Sequence, residues 1–286
     1  MSNRQGILYV VATPIGNLGD FSERARRTLA EADWIAAEDT RHTRKLLAHF
    51  GIHTPLSSLH AHNEARRVPE LLARLRGGGC GALVSDAGTP LIRDPGYLLV
   101  RAAAEAGIRV SPVPGPCAAI AALSVSGLPA DRFRFEGFLP ARQAARRERL
   151  HALKSAQATL VFYESAHRIV QALEDLVAVL GAGRPVVVAR ELTKQHETVL
   201  RGDAAEVLAH IRGDPKQRLG EFVLLVGAAP APDAGTIPDP IRDLLRLTLE
   251  ELPPRRAAAL VSDFSGLPRN RLYELALALR KSAEDE

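Results

Sequence analysis

The chain has 286 residues, 46% hydrophobic and 24% charged, the balance of a globular protein long enough for two domains and an appendage. No apolar run approaches the roughly 18 residues that cross a bilayer, and the run from Ile7 to Ala12 is too short for a signal-peptide core, so the expected location is cytoplasmic, without a membrane partner. Cys80 and Cys117 stand in neither CxxC nor zinc spacing, which excludes a disulfide framework and supports no metal site, while a net charge of +4 permits a nucleic-acid partner without requiring one.

In chain order, strands are predicted at 7–12, 34–37, 81–85 and 109–113, separated by amphipathic helices at 21–32, 41–50, 64–76 and 95–106. That alternation is the pattern of βαβ units and a mostly parallel sheet. Pro114-Gly115-Pro116 precedes an apolar run, Cys117 to Leu123, that reads as a helix starting just after the prolines. Gly127-Leu128-Pro129 marks a boundary. Beyond it, strands at 133–138, 158–163, 185–189, 197–201 and 221–226 alternate with helices near 142–155, 167–180 and 203–212, and the helix-free interval near 185–201 predicts a mixed sheet. The expected domains are therefore 1–126 and 127–228, both α/β, a Pro/Ala linker at 229–238, and a helical domain at 239–286. Its helices are predicted at 239–251, 254–264 and 269–280, with Ser265-Gly266-Leu267-Pro268 as a helix-turn-helix turn.

Three loops follow strands of the first domain, at the sheet edge where open α/β folds bind ligands. The first, Ala12 to Asp20, carries Gly16 and Gly19 but is neither a GxGxxG nor a Walker loop. The second is Ser85-Asp86-Ala87-Gly88-Thr89-Pro90, a small turn that lets backbone N–H groups approach a ligand and adds one carboxylate. The third, Val113 to Cys117, opens a helix whose free N–H groups favour a carboxylate or phosphate.

These loops occur in order with Ala37-Glu38-Asp39-Thr40-Arg41, Phe162-Tyr163-Glu164-Ser165 and Arg190-Glu191-Leu192-Thr193-Lys194. Together the six motifs resemble the tetrapyrrole-methylase-type S-adenosylmethionine enzymes, and within them the ribosomal RNA small subunit methyltransferase I group, over roughly residues 6–228. The C-terminal helices resemble that group's small helical domain. The resemblance implies two α/β domains with S-adenosylmethionine folded in the cleft between them, and 2′-O-methylation of a cytidine ribose in the decoding region of small-subunit ribosomal RNA. Its implied partners are that RNA or the assembled small subunit, and a second copy of the chain in a homodimer. Carried onto this sequence, the cofactor would meet Pro14, Asp86, Thr89, Ile92, Cys117 and Ala118 from the first domain, with Phe162, Tyr163, Leu192, Thr193, Glu221 and Phe222 closing over the adenosine. Two positions depart from the pattern: Cys117 where Ser or Thr is expected, and Ala166 where Pro is expected.

Methyl transfer to a hydroxyl is an in-line displacement that must align three atoms and remove a proton, and it needs no metal. Asp39, Glu191 and Lys194 are the candidates for base or orienting group. Arg41 and Arg190 could hold flanking phosphates. His60 and His62 alternate in a polar cluster that reads as a substrate-facing loop or, through Asn63, as a helix cap, rather than as a zinc site. Residues 132–154 carry seven basic against two acidic residues, with Arg142, Arg146 and Arg149 spaced to share a helix face; 253–281 carry six against two. Both stretches suit phosphate-backbone contact. Two readings compete: a methylase of corrin or porphyrin precursors, and a non-catalytic RNA-binding protein.

Overall fold

The computed structural model describes residues 6–230 and 237–284; most of the expected linker, residues 231–236, lies outside them. The chain divides into two compact units, Met1–Ala229 and Pro230–Glu286.

The larger unit holds two five-stranded sheets. The first is formed by β1 (Ile7–Val11), β2 (Trp34–Ala37), β3 (Leu56–Ser58), β4 (Cys80–Val84) and β5 (Arg109–Val113) in the order β3-β2-β4-β1-β5. Every pairing in it is parallel. Strand alternation feeds two cores. Ile35, Ala37, Ala82 and Val84 face α1 (Glu23–Glu31) and α2 (Thr40–His49), while Trp34, Ala36 and Leu83 face α3 (Glu64–Arg76) and α4 (Tyr97–Glu105). Gly81 is required here, because a Cβ on it would lie 2.2 Å from the Trp34 ring. Sequence periodicity had placed these elements to within two residues, except β3. That edge strand has three half-buried residues, Leu-Ser-Ser, too few to show an alternation. Glu64, expected in a polar cluster, is buried and accepts from the N–H groups of Gly96 (3.1 Å), Leu98 (2.7 Å) and Leu99 (3.3 Å), capping α4 from the neighbouring helix.

The second sheet is formed by β6 (Phe133–Phe138), β7 (Thr159–Ser165), β8 (Pro185–Arg190), β9 (Thr198–Asp203) and β10 (Glu221–Val226), ordered β6-β7-β10-β8-β9. It is mixed: β6 runs parallel to β7 and the other pairs are antiparallel. One face packs against α6 (Gln143–Ala152), α7 (Ile169–Leu180) and α8 (Ala204–Gly213). The other face is covered by α5 (Ala118–Ser126), which follows directly from β5 of the first sheet. Helix α5 carries no charged side chain; Ala119, Ala122 and Leu123 are buried on this sheet, while Ile120 and Val125 stay exposed.

The spacing of Arg142, Arg146 and Arg149 does not produce one basic face. Arg146 is buried in an ion pair with Asp175 at 2.7 Å and donates to the Ala141 carbonyl, Arg149 pairs with Glu136, and only Arg142 stays exposed and unpaired. Asp175, at 0% exposure, also takes Arg147 at 2.6 Å and Gln143 at 3.2 Å. The carboxylate thereby neutralises a guanidinium that the helix pattern had aimed at solvent.

The smaller unit packs α9 (Asp239–Glu251), α10 (Pro254–Ser265) and α11 (Arg269–Glu284) around Leu245, Ala257, Ala258, Val261, Leu272 and Ala276. Gly266 ends α10 in the left-handed conformation at φ 71°, which gives the expected helix-turn-helix turn. Among the described residues no helix is long and apolar enough to cross a membrane.

Asp175→Ala strands a buried Arg146 and is expected to cost about 3–5 kcal/mol of stability, read from the urea midpoint. An unchanged midpoint would show that the pair is not buried in solution.

Candidate active site

The carboxyl ends of the parallel strands bring the three loops together. Thr13 and Gly88 form a two-way backbone bridge, with N–H to O distances of 2.9 and 3.0 Å, and the Thr13 hydroxyl donates to Ser85 O. Thr89 Oγ1 donates to Pro116 O at 3.0 Å, tying the second loop to the third. Gly88 adopts φ 80°, a conformation that suits glycine where the turn reverses against Ile15.

Between these loops and the second sheet lies a cavity of about 310 Å³. Ile15, Ala118, Ala189, Leu192 and Val223 give it apolar walls; Asp94, Glu191, Lys194 and Glu221 give it polar ones. Of the residues assigned to the cofactor, Thr89, Ile92, Ala118, Tyr163, Leu192, Glu221 and Phe222 line this cavity. Pro14 and Asp86 line a neighbouring groove instead. Phe162 lies on the opposite strand face and packs in the core under α6–α8, because successive residues of β7 point to opposite sides; Phe222 packs in that core too while bordering the cavity. Thr193 lies outside the lining, with its N–H donating to Glu197 at 2.6 Å.

Cys117 is half-buried at the N-cap of α5 and makes no capping bond. Tyr163 supplies the missing acceptor: its hydroxyl takes the Ala119 N–H at 3.3 Å. Burial, then the neighbouring Cys117, push the Tyr163 phenol well above its ordinary pKa, so it stays protonated. The ring is held edge-on by Phe135 and Phe138, with centroids at 4.9 and 5.9 Å. Arg93 of the first half stacks over Phe138 at 5.6 Å, and Gly137 leaves the room for it. Arg93, Asp94 and Phe138 line the cavity without a sequence expectation; Arg93 and Asp94 follow the Asp86 loop, but only the fold brings Phe138 opposite them.

The three candidates for proton transfer are in different states. Asp39 caps α2, accepting from Arg41 N at 2.8 Å and pairing with the Arg41 guanidinium at 3.1 Å. That pairing lowers its pKa to about 2, so it is a weak base, and it leaves Arg41 bound to Asp39. The Asp39 N–H donates to Asp86 Oδ1 at 2.9 Å. Lys194 Nζ sits between Glu191 (2.9 Å) and Glu221 (2.7 Å). Burial works against its charge, but the two carboxylates prevail and raise its pKa, so it is a cation; burial likewise opposes Glu191, which Lys194 and the Glu221 N–H hold ionised. Glu191 and Thr193 adopt φ 50° and 66°, a strained turn for side-chain-bearing residues. Arg190 maintains it from within: buried, it donates to Leu219 O at 2.6 Å and His196 O at 2.9 Å, so its guanidinium faces main chain rather than a phosphate. His60 lines neither cavity nor groove; its N–H donates to Asn63 Oδ1, so Asn63 reaches back to the loop instead of capping α3.

Glu38, in the same edge motif, has its pKa raised to about 6 from 4.5, first by burial and then by Asp94 and Asp86. Among the described residues no group of three or more His, Cys, Asp or Glu side chains is placed to hold a metal ion.

The family profile described as Tetrapyrrole (Corrin/Porphyrin) Methylases matches residues 7–208, and one described as RsmI C-terminal HTH domain matches 235–280. A "Ribosomal RNA small subunit methyltransferase I" of Xylella fastidiosa (strain Temecula1) is 57% identical over 268 residues, 94% of this chain and 98% of the relative. One of the same name from Escherichia coli O157:H7 is 54% identical, over 96% of each chain. Among solved structures, the methyltransferase CobJ aligns with a TM-score of 0.57 at 21% identity, over 78% of this chain and 95% of that one. The uroporphyrin-III-C-methyltransferase of Thermus thermophilus aligns at 0.53 and 24%, over 78% and 94%; both likenesses show the fold.

Tyr163→Phe removes the acceptor for the Ala119 N–H and is expected to cost about 1–3 kcal/mol, with Cys117→Ser on that background restoring about 1 kcal/mol by capping α5. Chemical denaturation of both variants reads this; no gain from the serine would reject the substitution of one cap for the other. Glu38 binds its proton more tightly folded than unfolded, so its stabilising contribution is complete below pH 4.5 and is lost as pH rises through about 6. Glu38→Gln should therefore raise the melting temperature at about pH 7.5 and leave it unchanged near pH 4.

Proposed function

The chain belongs to the tetrapyrrole (corrin/porphyrin) methylase family, and on that premise we propose that it methylates small-subunit ribosomal RNA, at the ribose 2′-hydroxyl of a cytidine in the decoding region. The two relatives named for that RNA match almost end to end, helical unit included, and this favours RNA over a corrin or porphyrin precursor. A non-catalytic binder would have no use for the cavity that carries the reading: three tied loops around apolar walls, opposite Lys194.

Enzymes of this family use S-adenosylmethionine, which when bound supplies an electrophilic methyl on a sulfonium. The residues present fit that molecule. Ile15, Ala118, Leu192 and Val223 would hold the adenine by apolar contact. The N–H group of Ala118, in the first turn of α5 and in the cavity lining, would hold the carboxylate. Asp94, half-buried, with burial and then Asp86 raising its pKa, would accept from an amine or hydroxyl.

The charged group at the mouth has an orienting role in this reading. Lys194, kept cationic by Glu191 and Glu221, stabilises negative charge developing on the attacking oxygen, and the strained Glu191–Thr193 turn fixes where it points. Asp39 acts through its main chain, holding Asp86 at 2.9 Å, rather than as the base. The boundary at 126/127, read from Gly127-Leu128-Pro129, the cytoplasmic location expected from the sequence, and the homodimer implied by the resemblance belong to the same proposal.

Incubation with radiolabelled S-adenosylmethionine and small ribosomal subunits lacking the modification should place label in 2′-O-methylcytidine after nucleoside digestion. Cofactor binding without label in RNA would overturn the reading and bring the tetrapyrrole methylase forward. Lys194→Met should lower kcat about a hundredfold, close to 2.7 kcal/mol, with the cofactor Kd changed far less.

A further inference from the structure

A groove of about 340 Å³ lies beside the cavity, lined by Pro14, Gly16, Leu18, Asp86 and one face of α2. The two hollows share a wall. In the first loop Ile15 lines the cavity while Pro14 and Gly16 line the groove; in the second, Ala87 and Gly88 line the cavity while Asp86 lines the groove. The wall is thus a single turn of chain at each loop. At Gly16 the Lys194 side chain lies directly on it, since a Cβ there would fall 2.3 Å from Lys194 Cγ. Gly16 of the groove lining and Lys194 of the cavity lining meet at this contact.

The outer wall carries one lysine and two imidazoles. His42, Lys45 and His49 stand at i, i+3 and i+7 on the exposed face of α2, a span of about 10 Å along the helix, while Thr43 and Leu47 face the core. Neither His42 nor Lys45 has an ion-pair partner among the described residues. Pro14, Leu18 and Leu46 add apolar surface to the groove.

We propose that this groove is the acceptor-strand site: single-stranded RNA lies along it, with His42, Lys45 and His49 against consecutive phosphates and Pro14 and Leu18 against sugar or base, so that the target ribose reaches the mouth beside Lys194. A lysine and two imidazole N–H donors over an apolar floor are the chemistry that takes a single strand without reading its sequence. Asp86 at the inner end excludes phosphate there, which leaves that position to the uncharged ribose. Two residues that the resemblance assigned to the cofactor, Pro14 and Asp86, thereby serve the acceptor. The inference rests on the RNA reading above.

The test is steady-state methyl transfer to unmodified small ribosomal subunits and to the naked RNA, with cofactor affinity measured by calorimetry. The variants are His42→Ala/Lys45→Ala/His49→Ala and, as a control for charge loss elsewhere, Arg101→Ala/Arg109→Ala. The groove variant should raise KM for both substrates about tenfold, with kcat and cofactor Kd within twofold. Its log K against log salt slope should fall by about one. The control should match wild type. A KM equal to the control's overturns the proposal, as does a rise confined to assembled subunits, which would make the occupant a ribosomal protein. If wild type itself transfers no methyl to either substrate, the RNA reading falls and this proposal with it. Lys45→Glu separates folding from binding: it should raise KM further at an unchanged melting temperature.

Discussion

The arrangement depends on helix α5. It starts where Pro114-Gly115-Pro116 leaves the first sheet, has no charged side chain, and lies flat on the second sheet against Val161, Val187, Val223 and Leu225. Each such buried side chain contributes about 1.5–3 kcal/mol relative to exposure, so the seam between the sheets is apolar and strong. Its N-terminus is consequently held at the meeting point of three loops and a sheet. Moving it would require the Thr89–Pro116 bond and the Tyr163–Ala119 bond to break as well.

Around that seam the charged groups are sorted by what they touch. On the first sheet's edge burial, and then the crowding of Glu38, Asp86 and Asp94, raises the pKa of Glu38 and Asp94. On the second, Lys194 is clasped by two carboxylates. A cation on one lip and acids on the other leave the interior to apolar side chains, a division that suits a ligand with a flat ring and polar ends. The left-handed residues lie on the same two lips: Leu91 and Arg93 on one, Glu191 and Thr193 on the other. Backbone strain is thus concentrated where position matters most.

Much of this was legible in the residues. Strands at 34–37, 109–113, 133–138 and 221–226 and helices at 64–76 and 239–251 stand where the sequence pattern places them, the strands as short runs between turn signals and the helices as amphipathic stripes. The loops were legible too, because glycine and proline punctuate a strand end unmistakably. Partnership was not. Arg146 and Arg190 resemble phosphate ligands in the sequence, yet they bind Asp175 and two carbonyls, which come from residues 29, 29 and 6 positions away. Glu64 reads as the first residue of its own helix, yet it caps another helix 32 residues downstream.

The sequence by itself determined the element order, the two-sheet architecture, the helical unit and the six motifs that specify the family. These follow from local periodicity, turn chemistry and residue identity. Only the tertiary structure decided which side of each loop faces the cavity. Period-2 alternation turns Phe162 into the core and Tyr163 toward α5, and a one-residue step moves Ile15 to the cavity and Pro14 and Gly16 to the groove. The physical reason is that a motif names neighbours along the chain, whereas a site is made by the faces those neighbours present once two sheets have closed on one helix.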